Sequence, residues 1–185
     1  YTRSRFNKLI DREILNAISG KEAYIKLKMN SISDFKMTDK LYEASQAGVK
    51  IQLIIRGICC LIPGVKGLSE NIEAISIVDN YLEHSRIYIF GNAGNPEVFI
   101  SSADFMTRNL DARVEVTCPI YDPEIRKELI ETFEIGWKAN VKARIHSADL
   151  LNRYRKRGDE KTFRAQQEMY NYYQNKLDVI AENVQ

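Results

Sequence analysis

Two apolar stretches on either side of an amphipathic one constrain the fold of this chain more than any other feature. Residues 23–29, AYIKLKM, alternate apolar and polar like a half-buried strand. Residues 49–55, VKIQLII, are dense in the branched side chains that favour strands. Between them, Ser33 or Asp34 is placed to cap a helix that runs through Ala47 and stops at Gly48. Strand, helix and strand in that order form a βαβ unit, whose strands should lie parallel with a right-handed crossover.

The same reading extends along the chain. Phe6, Leu9, Ile10, Ile14 and Ala17 recur at helical spacing ahead of Ser19-Gly20, which predicts a helix over 5–19. Strands are expected at 72–78, at 84–90 and 97–102 joined by the turn GNAGNP, and at 112–120. Asp122-Pro123 opens a helix to about Trp137, and a last helix should run from about Thr162 to Leu177, with a frayed tail. The expected fold class is α/β, a mixed β-sheet flanked by helices. Its 185 residues suit a single domain, 1–185, in which 147–185 add a basic connection and a terminal helix. The abrupt opening YTRSRFNKLIDREI, already in helical pattern, reads as a piece cut from a longer protein.

Composition excludes several classes. Hydrophobic residues at 44% and charged residues at 28% match a globular domain. No apolar run is long enough to span a bilayer, and no signal-peptide pattern occurs. Three cysteines, of which Cys59 and Cys60 are adjacent, make neither a disulfide framework nor a zinc site. No metal site is expected, and the setting should be reducing and cytoplasmic, with peripheral membrane association possible in principle.

A net charge of +2 does not mark a general polyanion binder. Locally, however, Lys138, Lys142, Arg144, Arg153, Arg155, Lys156, Arg157, Lys161 and Arg164 meet few acids. That segment reads either as a solvated, partly flexible connection or as a basic surface for an extended polyanion.

Three groups of residues are suited to phosphate chemistry. His84, one of two histidines, enters the expected strand 84–90 between Glu83 and Ser85, with Arg86 two residues on along the same strand face. His146 has no such setting and reads as a surface residue. Arg56 directly follows strand 49–55, at the carboxyl end where parallel α/β sheets bind ligands, and Gly57, Gly64 and Gly67 let the adjoining backbone turn tightly. Its planar fork stays charged and can grip two phosphate oxygens. The third group is Ser101, Ser102, Asp104, Arg108, Asn109, Arg113 and Glu115, where Arg113 and Glu115 should share one face of the expected strand 112–120. The cysteine pair, Tyr170, Tyr172 and Tyr173, and Lys28-Met29-Asn30 read as packing or sheet-edge chemistry.

These residues carry a family resemblance. The segments KMNSISD (28–34), LYEASQAGVKIQLIIRGICCLIPGVKGLSENI (41–72), YLEHSRIYIFGN (81–92) and SSADFMTRNLDARVEV (101–116) resemble the bacterial polyphosphate kinases of the long, four-domain type. DPEIRKEL, VKARI, NRYRKRG and RAQQEMYNYY extend the resemblance over nearly the whole chain, and the match is to the last of the four domains. That domain looks like a phospholipase D domain. His84-Ser85-Arg86 stands for its HxK motif, with arginine for lysine, and Ser101 to Asp104 for its GSxN-like segment. The aspartate expected beyond the basic residue is missing, since the neighbourhood reads Ile89-Phe90-Gly91-Asn92.

The resemblance implies reversible transfer of the γ-phosphate of ATP to polyphosphate, with Mg²⁺ carried as Mg-ATP, through a phosphohistidine in the preceding domain. It further implies that His84 acts as a general acid or phosphate partner, that Arg56 contacts nucleotide phosphate, and that Arg113 lines a phosphate channel. Magnesium ligands are expected outside this chain. Expected partners are ATP, ADP, polyphosphate, the enzyme's own preceding domains and further copies of it, with no nucleic acid. Two alternatives stay open: a phospholipase D-like phosphodiesterase or nuclease that pairs His84 through homodimerisation, and a non-catalytic polyanion-binding module.

Overall fold

The computed structural model of the protein describes residues 2–183. Helix α1 (Thr2–Ile18), strand β1 (Tyr24–Met29), helix α2 (Phe35–Gln46) and strand β2 (Lys50–Ile55) open the chain. Strands β3 (Ile72–Ile77), β4 (Ile87–Phe90), β5 (Glu97–Ser101) and β6 (Thr117–Ile120) follow, then helix α3 (Pro123–Trp137), strand β7 (Ala143–Ile145) and helix α4 (Ala165–Asn183). The strands form a seven-stranded sheet in the order β6-β5-β4-β1-β2-β3-β7. β1, β2 and β3 run parallel, while β4 is antiparallel to β1, and β5, β6 and β7 are antiparallel to their neighbours. This is the expected mixed α/β sheet. Among the described residues no helix is long and apolar enough to cross a membrane.

Each sheet face has its own core. Phe6, Leu9 and Ile10 of α1 and Met37 and Leu41 of α2 pack on Leu27, Leu53, Tyr88 and Phe90. On the opposite face, Phe133 and Trp137 of α3 pack on Ile54, Ile75, Ile87 and Ile89. Strand β4 is buried on both sides because its alternate side chains serve the two cores.

The starts of α2 and α3 follow the sequence closely. Asp34 caps α2 by accepting from the Met37 N–H at 2.9 Å, and Asp122 caps α3 ahead of Pro123. Asp34 also receives the Arg3 guanidinium of α1 on both oxygens, at 2.5 and 2.8 Å, and the Thr107 hydroxyl at 2.8 Å. The Arg3 pair, with the cap, holds its carboxyl down at about 2, against burial. A carboxyl lowered in the folded state stabilises the fold above its ordinary pKa near 4, and that contribution fades as pH falls toward 2. It amounts to about 2 kcal/mol. Urea midpoints of the native chain and of Asp34→Asn should therefore differ at pH 7 and converge near pH 2. A constant gap across that range would refute the assignment.

Four elements depart from the sequence reading. Strand β4 begins at Ile87 rather than 84, because Ile87 is where the ladder to Lys28 and Ile100 starts. The expected strand 112–120 shortens to Thr117–Ile120. Ahead of it the chain makes a π turn, Arg108–Ala112, closed by the Arg113 N–H on the Arg108 carbonyl at 2.8 Å. Alternation in residues 113–116 imitates a strand, yet Val114 is fully exposed. Strand β7 was unexpected; it lies inside the basic segment and extends the sheet beyond β3. Helix α4 starts later than expected and continues past Leu177 to Asn183, so the expected frayed tail is helical that far; residues 184–185 lie outside the described ones.

Candidate active site

The sheet topology brings one end of five strands to a single edge. β1 and β2 are parallel, so their carboxyl ends deliver Asn30 and Arg56 together. β4 is antiparallel to β1, so its beginning, preceded by His84 and Arg86, lies at that same edge. β5 reverses again and delivers Ser102 and Asp104 where it ends, and β6 places Glu115 where it starts. These residues, with Arg108, Asn109 and Arg113, line a cleft of about 640 Å³. Ligands commonly bind outside the carboxyl ends of strands in open α/β sheets.

Gly57 permits the close approach of the two loops. Its N–H donates to the Asn30 carbonyl at 2.7 Å, and a Cβ there would meet that oxygen at 2.9 Å and the Ser31 hydroxyl at 2.8 Å. Arg56 is consequently fixed from behind: its Nε donates to Asn30 Oδ1 at 2.6 Å. Its Nη2 lies 3.1 Å from His84 Nδ1. A guanidinium has no acceptor, so this contact requires a lone pair on Nδ1 and assigns the ring proton to Nε2. In this tautomer His84 offers its Nε2–H as a hydrogen-bond donor, and it would act as an acid only after taking a second proton at Nδ1, which gives up the Arg56 contact.

Arg86 has a different role from Arg56. Its Nε and Nη2 donate to Asp104 at 2.9 and 3.1 Å, and both side chains are nearly buried. Asp104 also accepts from the Asn30 N–H at 2.8 Å and the Ser31 N–H at 3.3 Å. Burial pushes the Asp104 carboxyl up, but Arg86 and the Asn30 N–H outweigh it and hold the group below the usual carboxylate range. Arg86 Nη1 additionally donates to the His84 carbonyl at 3.3 Å. The pair therefore ties β1, β4 and β5 together beneath His84.

Glu115 accepts from Asn109 Nδ2 at 2.6 Å and from the Ser102 hydroxyl, which itself accepts from the Val116 N–H at 3.1 Å. The carboxylate orders neutral donors and leaves the arginines of the cleft alone. Arg56, Arg108 and Arg113 have no carboxylate partner among the described residues. The π turn brings Arg108 and Arg113 to this cleft, whereas a strand had been expected to present Arg113. Three guanidiniums without a carboxylate partner, Arg56 beside His84 and Arg108 and Arg113 along the same cleft, give it positive charge suited to an anion.

Of the candidate site residues Arg56, His84, Ser101, Ser102, Asp104, Arg108, Asn109, Arg113 and Glu115, all but Ser101 line the cleft. The Ser101 hydroxyl contacts Thr117 Oγ1 at 2.8 Å and accepts from the Ala103 N–H at 3.1 Å, holding the strand ends together. His84 and Arg86 act from a loop instead of a strand face. Asn30, read as edge chemistry, supports both Arg56 and Asp104; its place just after β1 was the available signal. His146 is no ordinary surface residue: it is half-buried, and its Nε2 donates to the Ile55 carbonyl at 3.1 Å, directly behind Arg56. In the basic segment, Arg155 turns inward to the Trp137 carbonyl and Arg144 stacks on Tyr154. Among the described residues no three His, Cys, Asp or Glu side chains converge on a metal position. With the oxygens of Asp104 and Glu115 already engaged, the cleft does not fit a magnesium site.

The chain is similar to known proteins in sequence and in fold. The family model Polyphosphate kinase C-terminal domain 2 matches residues 1–166. A polyphosphate kinase of Vibrio vulnificus (strain YJ016) is 49% identical over 174 residues, 94% of this chain and 25% of that protein. One of Escherichia coli (strain K12) is 46% identical over 171 residues, 92% of this chain and 25% of that protein. The crystal structure of polyphosphate kinase from Porphyromonas gingivalis superposes with a TM-score of 0.93 at 47% identity, covering 97% of this chain and 28% of that one. This chain therefore spans about a quarter of the length of its relatives. A phospholipase D family member, Nuc from Salmonella typhimurium, superposes with a TM-score of 0.52 at 17% identity over 73% of this chain and 89% of its own, a likeness of fold alone. With its sheet, its cleft and these matches, the chain belongs to the polyphosphate kinase family, as that family's C-terminal domain 2.

Proposed function

We propose that residues 1–185 are the carboxyl-terminal catalytic domain of a longer polyphosphate kinase and supply half of an inter-domain site. The observation that carries this reading is that Arg56, Arg108 and Arg113, none of them paired with a carboxylate among the described residues, line one cleft with His84, which Arg56 contacts directly. The γ-phosphoryl group of ATP would pass to a histidine of the preceding domain as ADP leaves. It would then pass from that nitrogen to the terminal oxygen of polyphosphate. His84 faces this exchange as the proton donor or phosphate partner at Nε2, while Arg56 and Arg113 hold phosphate oxygens. Phosphoryl transfer gains most from position and from charge on the equatorial oxygens, which Arg56, held by Asn30, and the neighbouring guanidiniums of the cleft would provide. Ser102, Asp104, Asn109 and Glu115 act as supports. Magnesium arrives with ATP, its ligands lying outside this chain. A cytoplasmic enzyme that assembles from several copies, with no nucleic-acid partner, completes the reading.

Two assays test it. The chain alone should neither make polyphosphate from ATP nor cleave a phosphodiester such as bis-nitrophenyl phosphate. Turnover of ATP by the chain alone would refute the placement of the nucleophile elsewhere, and diester cleavage would support the phospholipase D-like alternative. Binding separates a site from a basic surface. Arg56→Ala and Arg113→Ala should each weaken polyphosphate binding about 10-fold, the scale of a charge-assisted hydrogen bond. Neutralising Arg153 and Arg157 should change it less than about twofold, since exposed charges are screened by salt. The reverse ranking would favour the surface reading.

A further inference from the structure

Residues 78–86, between β3 and β4, carry His84 and belong to no helix or strand. What fixes them comes from the far end of the chain. Arg164, just ahead of α4, grips Asp79 with two bonds, Nε to Oδ2 at 2.8 Å and Nη2 to Oδ1 at 2.6 Å, and reaches Asn80 Oδ1 at 3.0 Å. The Asp79 side chain is only 1% exposed. Two residues on, Gln166 satisfies both backbone groups of Tyr81. Its Oε1 accepts from the Tyr81 N–H at 3.1 Å, and its Nε2 donates to the Tyr81 carbonyl at 2.8 Å. The same Nε2 donates to Glu83 Oε1 at 3.0 Å, and the other oxygen of Glu83 pairs with Lys28 of β1. Glu83 is the neighbour of His84.

One glutamine amide thus replaces the strand partner that Tyr81 lacks, and passes the constraint to the residue beside the histidine. We propose that Gln166, backed by Arg164, is a positioning residue for His84: the C-terminal helix sets where the imidazole stands relative to Arg56. Its catalytic consequence rests on the phosphoryl-transfer reading, whereas its structural consequence does not. The 3.1 Å contact between Arg56 and His84 is the one a loosened loop would lose. A displacement of about 1 Å in a catalytic group can lower a rate by about 100-fold.

The experiment has two arms. In the chain itself, hydrogen exchange is compared for the native sequence, Gln166→Ala and Gln166→Met, the last keeping length without the amide. Amides of residues 79–85 should exchange about 10-fold faster in both variants, with β1 and β4 unchanged. In the enzyme that contains this domain, Gln166→Met should lower kcat about 10-fold. In a His84→Ala background it should lower kcat less than about twofold further, because the two residues act as one unit. Unchanged loop exchange, loss of protection throughout the chain in both variants, or losses that multiply in the double variant would each overturn the proposal. If the native enzyme makes no polyphosphate at all, the function reading fails, while the exchange arm still decides the tether.

Discussion

Replacing His84 by alanine is expected to lower polyphosphate synthesis by the full enzyme about 100- to 10,000-fold, the range for losing a positioned acid or base. The reason lies in the two ring nitrogens. Nδ1 is committed to Arg56, so Nε2 carries the proton that can meet a phosphate oxygen. Without the ring, Arg56 keeps its bond to Asn30, and the arginine charges of the cleft persist. Ground-state binding should therefore suffer much less than the chemical step, giving a large fall in kcat with a modest change in KM for ATP. His84→Gln refines the test. A glutamine amide places a donor near the Nε2 position but gives up no proton, so it should restore binding without restoring rate. Equal activity in His84→Ala and the native enzyme would remove His84 from the chemistry.

The second large effect is on stability. Arg86→Met leaves the Asp104 carboxylate nearly buried without its cation. Removing one partner of a buried ion pair costs about 3–5 kcal/mol, because the stranded charge keeps its desolvation penalty. The double variant Arg86→Met, Asp104→Leu removes both charges and should recover part of that loss. Recovery will be incomplete, since the N–H groups of Asn30 and Ser31 lose their acceptor. Urea unfolding of the native chain, the single variant and the double variant gives the comparison. A double variant less stable than the single one would mean that Asp104 matters more as a backbone acceptor than as the partner of Arg86.

Much of this organisation was legible in the sequence, for reasons that differ by element. The unit from residue 23 to 55 was clear because residues 23–29 alternate as a strand does, residues 49–55 are rich in branched apolar side chains, and Ser33-Asp34 offers a cap for the helix between them. Arg56 was placed by the same logic, as the first residue beyond such a strand. The errors gather where side chains, and not the periodicity of the backbone, hold the chain. Residues 84–86 alternate like a strand, yet Arg86 is drawn to Asp104 and Ile87 begins the ladder. The 113–116 segment alternates as well, but the π turn before it is closed by one backbone bond and by Arg3 on Asp111, a contact 108 residues away in sequence. Local patterns carry no trace of partners so distant. For the same reason the roles of Asn30, His146 and Gln166 stayed unread: each matters through a partner distant in sequence, Asn30 through Arg56 and Asp104, His146 through the Ile55 carbonyl and Gln166 through the Tyr81 backbone.

The two histidines provide a direct test of whether the cleft binds phosphate, one as probe and one as internal control. Imidazole resonances of the native chain can be followed by proton–nitrogen correlation while tripolyphosphate is titrated in. His84 signals should move along a saturating curve and His146 signals should move little, and Arg56→Ala should shift the His84 curve to higher concentration. Signals of His84 that stay fixed while the chain binds tripolyphosphate, or that move no more than those of His146, would contradict a phosphate site at this edge of the sheet.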